Sequence, residues 1–92
     1  MFVKIGKEAY VESDEVEFIC SISNTASRKL ARESVDSGTA TVCTSGKRKQ
    51  TLIRTKSGRI YISPISFGTL RNKFFKDSNS STVVDDLYGE EN

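Results

Sequence analysis

"SGKRKQTLIRTKSGRIYISP", Ser45 to Pro64, holds the centre of the fold and the start of its chemistry. "QTLIRT" (50–55) and "RIYIS" (59–63) are rich in β-branched and apolar residues at alternating positions, and Lys56-Ser57-Gly58 between them reads as a hairpin turn. Just before the first of these strands, Ser45-Gly46 turns the chain and Lys47, Arg48 and Lys49 follow without a break. A turn needs residues that tolerate special backbone angles; it does not need three like charges side by side. Adjacent cations repel one another, so a partner that neutralises them is favourable.

Elements on either side of the hairpin complete the domain. Upstream, "TATVCT" (39–44) reads as a strand. "NTASRKLARESVDSG" (24–38) is the clearest helix: Asn24 or Thr25 caps its start, and Gly38 ends it. Ala26, Leu30 and Val35 offer an apolar stripe, with Arg28, Lys29 and Arg32 on the outer side as a solvated face. A strand is expected from Glu15 to Ser21. "MFVKIGK" reads as a first strand ending at Gly6, with Val3 and Ile5 on one side and Phe2 and Lys4 on the other; "AYV" is a short second strand.

Downstream, Pro64 stops the sheet, Ser66 is an N-cap, and Phe67, Leu70 and Phe74 recur at helical spacing. Arg71, Lys73 and Lys76 load the later turns of that helix with cations, which suits its dipole. "DSNSSTVVDDLYGEEN" (77–92) is polar, Ser-rich and acidic and has no periodicity, so it is expected to be a disordered tail. The fold class is therefore α+β: a small, mostly antiparallel sheet with two helices over residues 1–76, then the acidic tail.

The 92 residues allow one domain. A domain this small buries a modest fraction of its surface and is a candidate for oligomerisation. At 36% apolar and 28% charged it is globular in composition. No apolar run approaches the roughly 20 residues of a membrane span, and the first ten residues show no long apolar core followed by a cleavage site. A cytoplasmic address without membrane contact is expected. Cys20 and Cys43 are far apart in a chain without His, so they form no metal motif. Small apolar thiols in a reducing compartment are the simpler account, with a Cys20–Cys43 disulfide as the alternative.

The net charge of +2 hides an asymmetry. Residues 1–27 carry Lys4 and Lys7 against Glu8, Glu12, Asp14, Glu15 and Glu17, a net of −3. Residues 28–76 carry twelve Lys or Arg against Glu33 and Asp36, a net of +10. Residues 77–92 carry five carboxylates and no cation, a net of −5. A segment of +10 in a small domain attracts polyanions.

Catalysis finds little support. Without His, the commonest general base and metal ligand is missing. "SGKRK" has a superficial likeness to a phosphate loop, but G-x-x-x-x-G-K-[ST] fails at Thr41, where Gly belongs, and at Arg48, where Ser or Thr belongs. No enzyme activity, cofactor, metal or small-molecule substrate is expected. Binding remains. Lys47, Arg48, Lys49 and Arg54 are the candidate DNA-binding residues, because Lys and Arg at loops and strand ends meet phosphates without reading sequence. Charge guarding of a sheet edge would explain one or two lysines; it does not explain +10.

The run from Arg28 to Phe74, "RKLARESVDSGTATVCTSGKRKQTLIRTKSGRIYISPISFGTLRNKF", resembles the Rem-type bacterial regulators RemA and RemB, small proteins tied to control of extracellular matrix genes. The shared order is a charged helix, a Gly turn, a strand, a Gly-plus-basic loop, a β-hairpin and a final helix. "YISPISFGTL" (61–70) and the opening "MFVKIGKEAYV" look most like the RemB-type branch, and the resemblance covers about residues 1–75. In the RemA branch the loop reads Gly-Arg-Arg and its arginines bind DNA; the matching positions are Gly46, Lys47 and Arg48. The resemblance further implies a closed ring of several subunits, which multiplies one basic patch into a belt. It thus implies a cytoplasmic, nucleoid-associated transcription regulator whose partners are double-stranded DNA and itself. There is one departure. The family's other DNA-binding arginine aligns with Glu15, amid Glu12, Asp14 and Glu17, and an acidic cluster repels phosphate. The alternative function is a structural or interaction oligomer that binds an acidic protein. RNA binding lacks exposed aromatic pairs, since Tyr61 and Phe67 look structural.

Overall fold

In a computed structural model, which describes residues 1–75, β5 (Thr51–Thr55) and β6 (Ile60–Ser63) pair antiparallel at the centre of a four-stranded sheet. Leu52 faces Ile62 and Ile53 faces Tyr61 across the pair. The turn between them closes with the Gly58 amide donating to the Thr55 carbonyl at 2.9 Å, as the Lys56-Ser57-Gly58 signal implies. β3 (Val16–Ser21) flanks β5, and β4 (Ala40–Val42) flanks β6, giving the order β3-β5-β6-β4. β1 (Phe2–Gly6) and β2 (Ala9–Glu12) form a separate antiparallel pair, joined to β3 by a 3-10 turn over Ser13–Glu15. The helices are α1 (Thr25–Asp36) and α2 (Phe67–Phe75). The expected acidic tail, 77–92, lies outside the described residues.

The α+β class holds and the pairing is mostly antiparallel, but the strands do not form a single sheet. There are two sheets, and β4 runs parallel to β6. The reason is connectivity. β3 and β6 both run antiparallel to β5, so β4 is also parallel to β3. The stretch β3-α1-β4 is thus a crossover that carries the chain from one edge of the sheet to the other, a job that needs a helix-length connection.

Each face of the sheet is covered. On one, Ile53 meets Val3, Ile5, Val11, Val16 and Leu70, with Ile19, Cys43, Tyr61, Ile65 and Phe74 against them. This layer holds the β1–β2 pair and α2. On the other, Leu52, Ile60 and Ile62 meet Ala31 of α1, with Cys20, Ile22 and Ala40 beside them. Residues 52 and 53 therefore point to opposite layers, the period-two pattern of a strand buried on both faces. Cys20 and Cys43 fall in opposite layers and are free thiols. No disulfide joins them, and burial raises the pKa of each above the ordinary thiol value.

α1 is held at both ends. Asn24 Oδ1 accepts from the Ser27 amide at 2.8 Å, and Ser27 Oγ accepts from the Asn24 amide at 3.2 Å, a reciprocal capping box. At the other end the Gly38 amide donates to the Val35 carbonyl and the Thr39 amide to the Ser34 carbonyl, a Schellman closure. The buried face, however, is Ala31 and Ser34, not the expected stripe of Ala26, Leu30 and Val35. Leu30 stays 40% exposed and Val35 37%. Small residues let the helix approach a sheet face already filled by Leu52, Ile60 and Ile62. Ser34 loses nothing by burial, because its hydroxyl donates to the Leu30 carbonyl at 2.8 Å. α2 begins as expected, with Ser66 Oγ accepting from the Thr69 amide at 3.3 Å, and Leu70 is fully buried.

Candidate nucleic-acid interface

The turn before the cations is tight. The Lys47 amide donates to the Thr44 carbonyl at 2.9 Å, and both central residues have positive φ, Ser45 at 52° and Gly46 at 84°. Two such angles in succession are the signature of a mirror-image turn, which Gly adopts freely and Ser does not. Thr44 is buried, and exposure begins at Ser45. The turn pushes Lys47, Arg48 and Lys49 off the end of the sheet, where all three are exposed.

Beneath them the scaffold is rigid and polar. Gln50 donates its backbone N–H to the Ser63 carbonyl and its side-chain Nε2 to the Pro64 carbonyl, both at 2.9 Å. Buried Thr51 donates its hydroxyl to the Ile65 carbonyl at 2.7 Å. Buried Ser63 donates to the Ile5 carbonyl and accepts from the Ile65 amide at 3.0 Å. These bonds tie β1, β5, β6 and the lead-in to α2 together at the base of the basic loop. Among the described residues no buried side-chain N or O lacks a partner.

The loop divides its charges between two grooves. On one side Lys47 joins Lys4 and Lys7 along a groove of about 340 Å³ whose floor includes Gly6, Thr44, Pro64 and Ile65. On the other, Arg48 and Lys49 face Arg28 and Arg32 of α1 across a groove of about 510 Å³. Seven cations therefore gather at one end of the domain. Among the described residues the ion pairs are the Met1 amino group with Glu12 and Arg54 with Glu17, so none of the seven is paired there.

Arg28 and Arg32 are the residues whose place beside the loop the sequence did not reveal. Both are exposed, as expected of a solvated face of α1, and they also line the wall of the groove opposite the loop. The available signal was the pair of small residues Ala31 and Ser34. Small side chains three apart mark the face pressed on the sheet, and Arg28 and Arg32 flank it.

Two other positions sit elsewhere. Arg54, near the end of β5, is exposed, its Nε 2.9 Å from Glu17 Oε1. By strand rise it is about 16 Å along the chain from Lys49, so it is not brought together with the triplet. Glu15 lies in the 3-10 turn, where its carbonyl accepts from the Lys56 amide at 2.8 Å. That is the hairpin-turn end of the sheet, opposite the basic loop. Glu12, Asp14 and Glu17 sit near it together with Arg54, Lys56 and Arg59, so that end is mixed in charge while the loop end is basic.

The fold and this surface define a class: a small α+β module, its central sheet covered on both faces, that presents a tight basic turn between cationic grooves. Within that class the chain is placed by a family model described as RemA-like, extracellular matrix regulatory protein A-like, which matches residues 2–74. The chain belongs to this family, whose description is one of matrix regulation. No curated protein matches it. Among the described residues no helix is long and apolar enough to cross a membrane.

Proposed function

We propose that the protein is a non-catalytic DNA-binding regulator of extracellular matrix genes, acting in the cytoplasm on the nucleoid as a homo-oligomer, in keeping with the ring-forming habit its Rem-type resemblance implies. The observation that carries this reading is the Ser45-Gly46 turn, which sets Lys47 on one side and Arg48 and Lys49 on the other, each joined by cations from other elements. Phosphates on either side of the turn would meet charge, and repetition of the loop around an oligomer would convert weak single contacts into avidity. Site preference would come from DNA deformability rather than base edges. Two features support self-association. The outer face of the β1–β2 pair leaves Phe2 69% and Tyr10 60% exposed, and β3 and β4 are both edge strands. Duplex binding measured at graded salt tests the reading: affinity should fall steeply and linearly on logarithmic axes. No binding at low salt would overturn it.

The carboxylates Glu12, Asp14, Glu15 and Glu17 support a second reading, an interaction oligomer whose basic end meets an acidic protein, including these carboxylates on another copy. Arg54, engaged by Glu17, fits that reading better than DNA binding.

A further inference from the structure

The groove between α1 and the basic loop is built differently from its neighbour. One wall is a single face of α1, Arg28, Ala31, Arg32, Val35 and Asp36, at helical spacing. The opposite wall is Arg48 and Lys49, and Ile22 completes an apolar strip with Ala31 and Val35. Its volume of about 510 Å³ lies within the range of small-ligand sites. The lining thus combines four cations, an apolar strip and one carboxylate.

A DNA backbone explains only the cations. Phosphate contacts need Lys, Arg and N–H donors; they gain nothing from an apolar strip and are opposed by a carboxylate. The neighbouring groove, with Lys4, Lys7 and Lys47, also has apolar lining in Pro64 and Ile65 but no acid and no arginine, so the carboxylate and the arginines set the α1 groove apart. In the α1 groove three of the four cations are arginines, whose planar forks bind phosphate bidentately and stack on flat rings. Asp36 stands in the last turn of α1, where the helix dipole disfavours a negative charge. Among the described residues it has no ion-pair partner. A ligand hydroxyl or amino group would give it one.

We infer that the groove formed by Arg28, Arg32, Val35 and Asp36 of α1 with Arg48 and Lys49 binds a phosphorylated small molecule with a flat apolar body, a nucleotide in chemical class. The phosphates sit between the two basic walls, the ring lies on the Ile22–Ala31–Val35 strip, and Asp36 accepts from a sugar hydroxyl or a base amino group. Binding itself does not depend on the DNA reading. One consequence does: Arg48 and Lys49 serve both partners, so the nucleotide displaces DNA.

The test is titration of the full chain, followed by calorimetry and by amide chemical shifts, with ATP and GTP as probes. Sodium tripolyphosphate is the phosphate-only control. At least one nucleotide should bind saturably at least tenfold more tightly than tripolyphosphate, with shifts confined to α1 and residues 45–50. Arg28→Ser and Arg32→Ser, both at exposed positions, should each weaken it about tenfold. Lys7→Ser, in the other groove, should leave it unchanged. Asp36→Asn should narrow the preference for nucleotide over tripolyphosphate. Equal affinity for tripolyphosphate and both nucleotides, or no saturable nucleotide binding, overturns the inference. A fluorescent duplex measured in parallel separates the two claims. DNA binding without nucleotide binding sinks the inference alone; nucleotide binding without DNA binding sinks the DNA reading alone.

Discussion

Gly6 and Cys43 lie backbone against backbone: a Cβ placed on Gly6 would collide with the Cys43 carbonyl oxygen and come within 3.0 Å of the Cys43 Cβ. The end of β1 is thereby locked to the stretch that leads from β4 into the basic turn. Lys7, one residue on, and Lys47 share a groove because of this contact. Only Gly permits the approach, and the obstacle is backbone rather than a side chain that can swing aside. Gly6→Ala should therefore destabilise the fold by about 1–3 kcal/mol, the range for overpacking. Denaturant unfolding measures it. An unchanged midpoint would show that the β1–β2 pair docks loosely.

The turn itself stores strain. Ser45 has φ of 52°, a left-handed angle unfavourable for a residue with a Cβ. Ser45→Gly should relieve it, with a gain of at most about 1 kcal/mol once the added chain entropy is counted. Gly46→Ala should do the reverse at φ 84°, lowering stability and weakening anion binding together, since the turn aims the cations. A Gly46→Ala protein with unchanged thermal midpoint and unchanged DNA affinity would remove the turn from the account.

Much of this arrangement is legible in the sequence, and the losses are instructive. Strand pairing across Ser57-Gly58 follows from local turn chemistry, and Leu70 follows from helical spacing. Local signals of this kind survive folding because they do not depend on distant neighbours. The inward face of α1 follows only in part: the small residues Ala31 and Ser34 hint at it, but what makes them fit is the volume of Leu52, Ile60 and Ile62, far along the chain. The parallel β4–β6 pairing was within reach, since a helix between two strands is the mark of a crossover. The placement of Arg54 was not: four residues separate it from the triplet, and its partner Glu17 lies on another strand.

Both thiols should be free and slow to react. Burial raises the pKa of Cys20 and of Cys43, so the neutral thiol is favoured in the folded chain. The sign follows. Below the ordinary thiol pKa both states are protonated and burial of the thiols has no ionisation cost. As pH rises through the raised folded values, the unfolded chain has already lost its protons and is favoured. Alkylation near pH 8 should be slower in the native protein than in denaturant, where both thiols should titrate without reductant. A single reactive thiol, or none, in denaturant would contradict the placement of the two cysteines in opposite layers.

Self-association should run through the outer face of the β1–β2 pair. Lys4 faces Tyr10 and Phe2 faces Glu12, so Phe2 and Tyr10 stand diagonally on one side. Covering each is worth roughly 1.5–3 kcal/mol. Light scattering should give a mass above the 10.2 kDa of one chain, and Phe2→Ser with Tyr10→Ser should shift it toward that value. A wild-type mass of one chain across a wide concentration range would rule out the oligomer. An undiminished mass in the double variant would move the interface elsewhere, with the free edges of β3 and β4 next in line.

The sharpest expectation concerns Lys47, Arg48 and Lys49. If they neutralise phosphates, replacing all three with Ala should weaken binding to every duplex alike. The slope of log affinity against log salt should flatten by about 0.9 for each phosphate no longer neutralised. All three are exposed and unpaired among the described residues, so stability should change by no more than about 0.5 kcal/mol. Two controls come from the geometry. Arg54→Ala should cost less affinity than any one of the three, because Glu17 already neutralises that charge. Glu15→Arg should change little if DNA follows the basic end, because Glu15 lies at the opposite end of the sheet. A strong gain from Glu15→Arg would instead mean that the DNA path spans both ends. Should the triple-Ala protein stay folded, keep its mass and bind DNA with an unchanged slope, the loop is no phosphate seat, and its charges serve only to keep the end of the sheet soluble.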